Sequence, residues 1–409
     1  MSALGIGQVF AWGSSYYLPA VLAAPIEKAS GWPAPWVVGG LSVGLLVSGL
    51  ISPRVGRAIE RCGGRPVLVA SALLLATGLL GLALAPNVAA FVAAWAVVGL
   101  GMGCGLYDPA FAMLGRAYGE DARPLITGVT LFGGFASTVC WPLSAFLVDR
   151  LGWRGTCLAY AGLHAAVLLP LYLAVLPKER RRDSRASAPA AAPSASVARA
   201  APQGAVFWLV ASAFTLASVV MTVVSVQLLA ILQARGLTLA AAVGLGALVG
   251  PAQVGARVVE FAVGRRAHPV WVMLAAMALV AAGLAMLLLG PALAAVGVVL
   301  YGAGGGIRSI ARGTLPLALF GQGGFATIMG RLALPALVAQ AASPAIGALL
   351  LDRFGATGSV VALVAASVVN VALALMLCPL ARGSRIRSLP ELKVRKSVSR
   401  YLDDGRGHR

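Results

Sequence analysis

Apolar residues in this chain neither alternate nor recur every third or fourth position. They run in long blocks separated by short polar punctuation. A block of about 20 mostly apolar residues is what a helix needs to cross roughly 30 Å of hydrocarbon. Twelve blocks qualify, near 5–25, 34–52, 66–85, 88–114, 125–148, 156–176, 205–232, 239–260, 269–289, 292–318, 325–351 and 357–380. The ten-residue alternation of a membrane β-barrel is missing from them. The pattern predicts an all-α integral membrane protein with twelve transmembrane helices.

Composition agrees. Mean hydropathy is +0.89 and only 11% of residues are charged, a balance suited to lipid. The 50 glycines weaken helices in water, but in lipid they let backbones approach closely. The first block lacks a basic leader and a small-residue cleavage site, so it reads as a retained span.

A net charge of +19 raises nucleic acid as a partner, and the placement of the charge removes it. With the N-terminus in the cytoplasm, most of the 32 Lys and Arg fall in cytoplasmic loops and tails. Lys28, Arg150, Arg154, Arg235 and Arg353 fall on the far side, and Arg257 and Arg308 within spans. That asymmetry is the positive-inside rule. It places both termini of a multi-pass inner-membrane protein in the cytoplasm. The five cysteines show no CxxC pair and no zinc spacing, so neither a metal nor a disulfide is expected. No phosphate-cradling GxxxxGK[ST] occurs, which argues against ATP as an energy source, and no cofactor is expected.

One long polar stretch, 178–204, divides the blocks six and six. It starts basic and continues rich in Ala, Pro and Ser, and it reads as a cytoplasmic disordered linker. The expected organisation is an N-terminal six-helix half (1–177), the linker, a C-terminal half (205–380) and a basic cytoplasmic tail (381–409). The halves repeat. Asp149-Arg150-Leu151-Gly152 ends span 5 as Asp352-Arg353-Phe354-Gly355 ends span 11, and Gly99, Gly101 and Gly103 of span 4 fall on Gly302, Gly304 and Gly306 of span 10. Parallel six-helix halves about an axis along the membrane normal put a solute site at mid-membrane between them.

Between spans 2 and 3 stands Gly56-Arg57-Ala58-Ile59-Glu60-Arg61-Cys62-Gly63-Gly64-Arg65. It resembles the loop motif of the major facilitator superfamily, Gly-x-x-x-Asp-Arg-x-Gly-Arg-Arg, with Glu60 for Asp and Gly64 for a basic residue. The resemblance, closest to monocarboxylate and oxalate–formate transporters, implies the twelve-helix fold in two pseudo-symmetric halves. It also implies gating roles for Gly56, Glu60, Arg61 and Arg65, with Glu60 docking on span 11. Two family patterns are not kept. Trp95 replaces the span 4 arginine, and the span 5 antiporter motif survives only as Gly133-Gly134 through Pro142. Both disfavour a proton/drug antiporter.

Charges within spans are costly unless they face a partner or a wet cavity. Arg257 and Glu260 lie three apart in span 8 and share a helix face. One reading is an anion-binding arginine positioned by Glu260, and the other is an ion pair at the cytoplasmic mouth. Members of the resembling group use a span 8 arginine for a substrate carboxylate, which implies that role for Arg257. Span 11 here has no lysine to complete the oxalate-type pair. Arg308 and Arg312 lie four apart in span 10, and Asp108 sits at the matching place in span 4. They read as an anion site or as a gate in which Asp108 meets Arg312. In span 1, Gln8, Trp12, Tyr16 and Tyr17 read as substrate contacts or as an interfacial aromatic belt. Gln227 and Gln340 are further cavity candidates. His164 in span 6 reads as a packing histidine. Gly40xxxGly44 and Gly246xxxGly250 read as helix contacts.

No nucleophile–base set points to an enzyme. The expected function is secondary active transport of a small solute, an organic anion among the candidates, by alternating access. Export of drug-like or neutral compounds by proton antiport stays open, as does, from another class, a transporter-like membrane sensor. The expected partners are that solute, a co-transported ion and the lipid bilayer, and the expected state is a monomer.

Overall fold

The computed structural model describes residues 2–177, 203–263 and 267–379. The linker up to residue 202 and the tail from 380 lie outside the described residues, so the roles expected of them are not addressed. Helix is the only regular structure among the described residues. The α-helices are α1 (Ser2–Gly13), α2 (Pro19–Ser30), α3 (Ala34–Cys62), α4 (Gly64–Leu84), α5 (Val88–Gly105), α6 (Tyr107–Tyr118), α7 (Ala122–Gly134) and α8 (Ala136–Leu163). They continue as α9 (Leu169–Val175), α10 (Gln203–Ala234), α11 (Leu239–Ala247), α12 (Val249–Val263), α13 (Pro269–Leu289), α14 (Ala294–Phe320) and α15 (Phe325–Met376).

Nine stretches among the described residues are long and apolar enough to cross a membrane. Two of them, Ala122–Val175 and Phe325–Met376, have 54 and 52 residues, double length. Each doubles back at a glycine in the left-handed region, Gly152 (φ 68°) and Gly355 (φ 64°). These glycines end the repeated Asp-Arg-x-Gly segments, and side chains with a Cβ rarely adopt that φ. With the interrupted pair α1–α2 as a further crossing, the twelve crossings are accounted for. The face carrying the loops at 62–64 and 118–122 is called the motif face below.

Four crossings are broken near mid-depth: span 1 at Ser14–Leu18, span 4 at Leu106, span 5 at Phe135 and span 8 at Leu248. Proline is placed to allow three of these breaks. Its ring clashes with the carbonyl four residues earlier. Pro19, Pro109 and Pro251 therefore strike residues 15, 105 and 247, the first inside the Ser14–Leu18 break and the others at the last residues of α5 and α11. In span 5 the break follows Gly133-Gly134, a pair with weak helix propensity. Pro53, Pro142, Pro316, Pro335 and Pro344 sit inside continuous helices, so proline permits these breaks without dictating them.

The halves meet along spans 2 and 11. A Cβ at Gly56 would lie 2.3 Å from the Ala326 carbonyl oxygen, and one at Gly330 2.3 Å from that of Ser52. Only glycine allows backbones so close. Trp95, which holds the family's arginine position, is 2% exposed and lies over Gly40 and Gly44. Gly246xxxGly250 departs from the helix-contact reading, because nothing lies within 4 Å of a Cβ placed at Gly250.

Candidate functional site

The breaks of spans 1, 4 and 5 converge on one place. In the N-terminal half the span 1 break presents Trp12, Tyr16 and Tyr17, and α6 begins with Tyr107. Trp12 lies 5.3 Å from Tyr16 and 4.9 Å from Tyr107, ring centre to ring centre; Tyr16 lies 5.3 Å from Tyr17. Tyr107 stacks on Phe111 at 5.2 Å. This is an aromatic wall at mid-depth rather than an interfacial belt, since these rings follow the middle of their crossings. The paired glycines of span 5 face it. A Cβ at Gly133 would lie 2.3 Å from the Tyr107 hydroxyl, and one at Gly134 2.2 Å from Arg257 Nη1.

Arg257 is 5% exposed. Its Nε donates to the Gly306 carbonyl of span 10 at 3.3 Å. Its Nη1 donates to the Thr130 carbonyl of span 5, in the other half, at 3.1 Å. Arg257 and Glu260 share a face yet do not pair, which corrects the expectation that Glu260 positions Arg257. Glu260 instead meets Arg123, at the start of α7, at 3.5 Å, and Arg123 also donates to the Ala267 carbonyl at 2.8 Å. Depth explains the choice: one turn beyond Arg257, Glu260 reaches the motif face, where α7 brings its basic residue.

Asp108 and Arg312 form a two-pronged pair between halves, Nε to Oδ1 at 2.7 Å and Nη2 to Oδ2 at 2.8 Å. Asp108 lies in the first turn of α6, where a carboxylate also meets the positive helix end. Gln322 adds a bond to the Arg116 carbonyl at 3.1 Å, and Arg116 reaches the Glu60 carbonyl at 3.2 Å. Polar contacts between the halves thus gather between mid-depth and the motif face. Gln340 donates to the Tyr16 hydroxyl at 3.3 Å and ties span 11 to the aromatic wall.

Arg308 is different. Its Nε is buried without a hydrogen-bond partner. The group lies in the electrostatic reach of Tyr301, Tyr16, Arg257 and Arg312. It borders a narrow space lined by Met221, Ser367 and Asn370, with room for about one water. With Asp108 and Glu260 committed to Arg312 and Arg123, the centre carries unbalanced positive charge from Arg257 and Arg308. Such a centre suits an anion that offers two oxygens to a guanidinium.

Other predicted residues lie elsewhere. Gln8 is fully buried and donates to the Gly105 carbonyl at 2.7 Å, while its oxygen accepts from Trp12 Nε1 at 3.2 Å. It ties span 1 to span 4 and does not face a cavity. Gln227 packs on Gly347 of span 11. Arg65 is held by the Leu173 carbonyl in its own half, and Arg61 is exposed on the last turn of α3. The sequence reading missed Tyr107, Thr130, Gly133 and Gly134 as part of the centre. Pro109 and the Gly-Gly pair were the signals that could have found them.

The family model described as the Major Facilitator Superfamily matches residues 4–330. The chain belongs to the Major Facilitator Superfamily. Among curated relatives, it is 36% identical over 108 residues to monocarboxylate transporter 3 of Rattus norvegicus, 26% of this chain and 21% of that protein. It is 34% identical over 156 residues to an uncharacterized 38 kDa protein of Thermoproteus tenax, 38% of this chain and 40% of that one. The matched parts are thus well under half of those relatives' length. Two solved structures share the fold. The human organic anion transporter MFSD10 (TETRAN) superposes with a TM-score of 0.72 at 16% identity, over 91% of this chain and 98% of that one. FucP in the outward conformation superposes with a TM-score of 0.71 at 14% identity, over 91% and 97%. Its family and fold are those of membrane transporters.

Proposed function

We propose that this transporter moves a small organic anion through the centre by alternating access, with Arg308 as the anion's ligand and Arg257 as a second positive group. One observation carries the reading: a buried guanidinium nitrogen with no partner among the described residues, beside tyrosine hydroxyls and without a free acid. An unsatisfied buried donor costs about 1–3 kcal/mol, and a bound anion removes that cost. The aromatic wall also suits the ring of a neutral sugar, but the charge of the centre favours an anion. The names of a monocarboxylate transporter and an organic anion transporter among the similar proteins point the same way. Glu60, on the last turn of α3, acts with Gly56 as part of the gate against span 11. The positive-inside bias supports a cytoplasmic motif face in the inner membrane, so reporter fusions after residue 177 and after residue 379 should both read cytoplasmic.

The test is uptake and thermal stabilisation of purified, reconstituted protein across mono- and dicarboxylates, with a neutral hexose as control. A carboxylate should stabilise the protein and be transported. Arg308→Lys keeps the charge but loses the two-pronged grip, so it should weaken that carboxylate roughly 10- to 100-fold, about 1.5–3 kcal/mol. Stabilisation by the hexose alone, or a Lys variant with unchanged affinity, overturns the reading.

A further inference from the structure

Span 6 contains a full π-turn, His164–Leu168, at the middle of the crossing between Trp153 and Val175. Pro170, at the start of α9, has a local part in this turn, since its ring clashes with the carbonyl of residue 166; what matters is the histidine that the turn holds. The turn starts at a histidine that is 1% exposed. Its Nε2 lies 2.8 Å from Ser14 Oγ, 150 residues away in the break of span 1. Its Nδ1 is buried with no partner.

The hydrogen bonds assign the proton. Ser14 Oγ lies 2.7 Å from the Phe10 carbonyl, which can only accept. The single hydroxyl proton therefore goes to Phe10, and toward the ring Ser14 is an acceptor. So Nε2 carries the ring hydrogen, and Nδ1 is the bare nitrogen with a free lone pair. A bare basic nitrogen is thus buried at mid-membrane, one hydrogen bond away from the hinge that presents Tyr16 and Tyr17.

The titratable groups around the ring supply no counter-charge. In α4 there is Arg65, tied to Leu173 at the motif face. In α8, Cys140, Cys157 and Tyr160 are neutral packing groups, with Tyr160 bonded to Ser144 at 2.7 Å, while Asp149, Arg150 and Arg154 flank the Gly152 turn at the far face. In α9 there is Tyr172, buried against Gly7 of α1. The helix α1 itself has no titratable side chain, and the hinge adds Tyr16 and Tyr17.

We propose that His164 Nδ1 is the binding site of the proton that this transporter couples to its solute. The step is a simple protonation: Nδ1 takes a proton from water admitted when the hinge moves, and the neutral ring becomes an imidazolium. An imidazolium donates from both nitrogens, so Nδ1 then needs an acceptor that it lacks in this structure. The Ser14–Leu18 hinge must rearrange to supply one, and Tyr16 and Tyr17 move with it. Proton occupancy and solute occupancy then bias the same two-state element, and each changes the other's affinity by the same factor. The proton site does not depend on whether the solute is an anion or neutral.

The chain has three histidines, which makes the test direct. In the His268→Asn, His408→Gln protein, labelled with ¹⁵N-histidine and held in lipid nanodiscs, one ring is observed. Its spectrum near neutral pH should show the Nε2–H tautomer, and lowering pH should protonate Nδ1 in a single step while the protein stays folded. A ¹⁹F label on Trp12, beside the hinge, should shift with the same midpoint, and His164→Gln should abolish that shift. An Nδ1–H tautomer, a ring that takes up no proton while the protein stays folded, or a Trp12 response that persists in His164→Gln overturns the proposal. If His164→Gln does not fold, the ring titration decides alone. Neither readout uses a solute, so a wrong solute class leaves them unaffected.

Discussion

Arg257 fits only because residue 134 has no side chain. A methyl group at Gly134 would stand 2.2 Å from Arg257 Nη1, well inside contact distance. Gly134→Ala should therefore push the guanidinium off the Thr130 carbonyl without removing any charge. We expect normal membrane insertion, a loss of stability of about 1–3 kcal/mol from overpacking, and a large fall in transport. Thermal unfolding and uptake check this together. An unaltered transport rate would show that the Arg257–Thr130 bond has no part in the cycle. Arg257 and Arg308 were both visible in the sequence as charges that lipid does not tolerate freely. Their different situations were not. Which guanidinium is spent on carbonyls and which keeps an unpartnered nitrogen depends on Gly306 and Thr130, residues 49 and 127 positions from Arg257.

At the scale of elements, the crossings follow from the length and hydrophobicity of each block, and several turns follow from glycine. The breaks in spans 1, 4, 5 and 8 do not follow so simply. The chain also carries prolines, Pro53 and Pro142 among them, that sit inside continuous helices. Spans 2 and 11 pair through Gly56 and Gly330, each under the other helix's carbonyl. Gly56→Val adds three carbons where there is no room. We expect a lowered melting temperature and reduced transport, whereas Gly39→Val, at a position with nothing within 4 Å, should be near neutral. Equal effects at the two positions would mean that the span 2–11 approach does not limit packing.

For the whole molecule, we propose that the paired contacts between mid-depth and the motif face bias which way the centre opens. The Asp108–Arg312 pair is side-on to solvent by only 15% and 12%, so it is partly shielded and stronger than a surface pair. If it forms in one state only, an interaction of about 2–3 kcal/mol shifts the two-state ratio roughly 30- to 150-fold. Asp108→Asn should favour opening at the motif face. Cysteine labelling on that face should rise, and labelling on the opposite face should fall. The charge swap Asp108→Arg with Arg312→Asp should restore much of the balance. If labelling on both faces is unchanged in Asp108→Asn, the pair is an anchor and not a gate.

By itself the sequence determined that the chain spans a membrane, where it crosses, that its halves repeat and which superfamily it resembles. These properties are local: a block is apolar or not, a motif is present or not, and hydrocarbon thickness sets the length. Only the tertiary structure decided the partners, with Asp108 on Arg312, Glu260 on Arg123, Arg257 on two carbonyls and Ser14 on His164. Each of those pairs crosses between spans distant in sequence. Helix faces in lipid carry little polar patterning, and close glycine contacts, such as Gly56 on Ala326 and Gly99 on Gly44, fix the rotation of the helices that carry them.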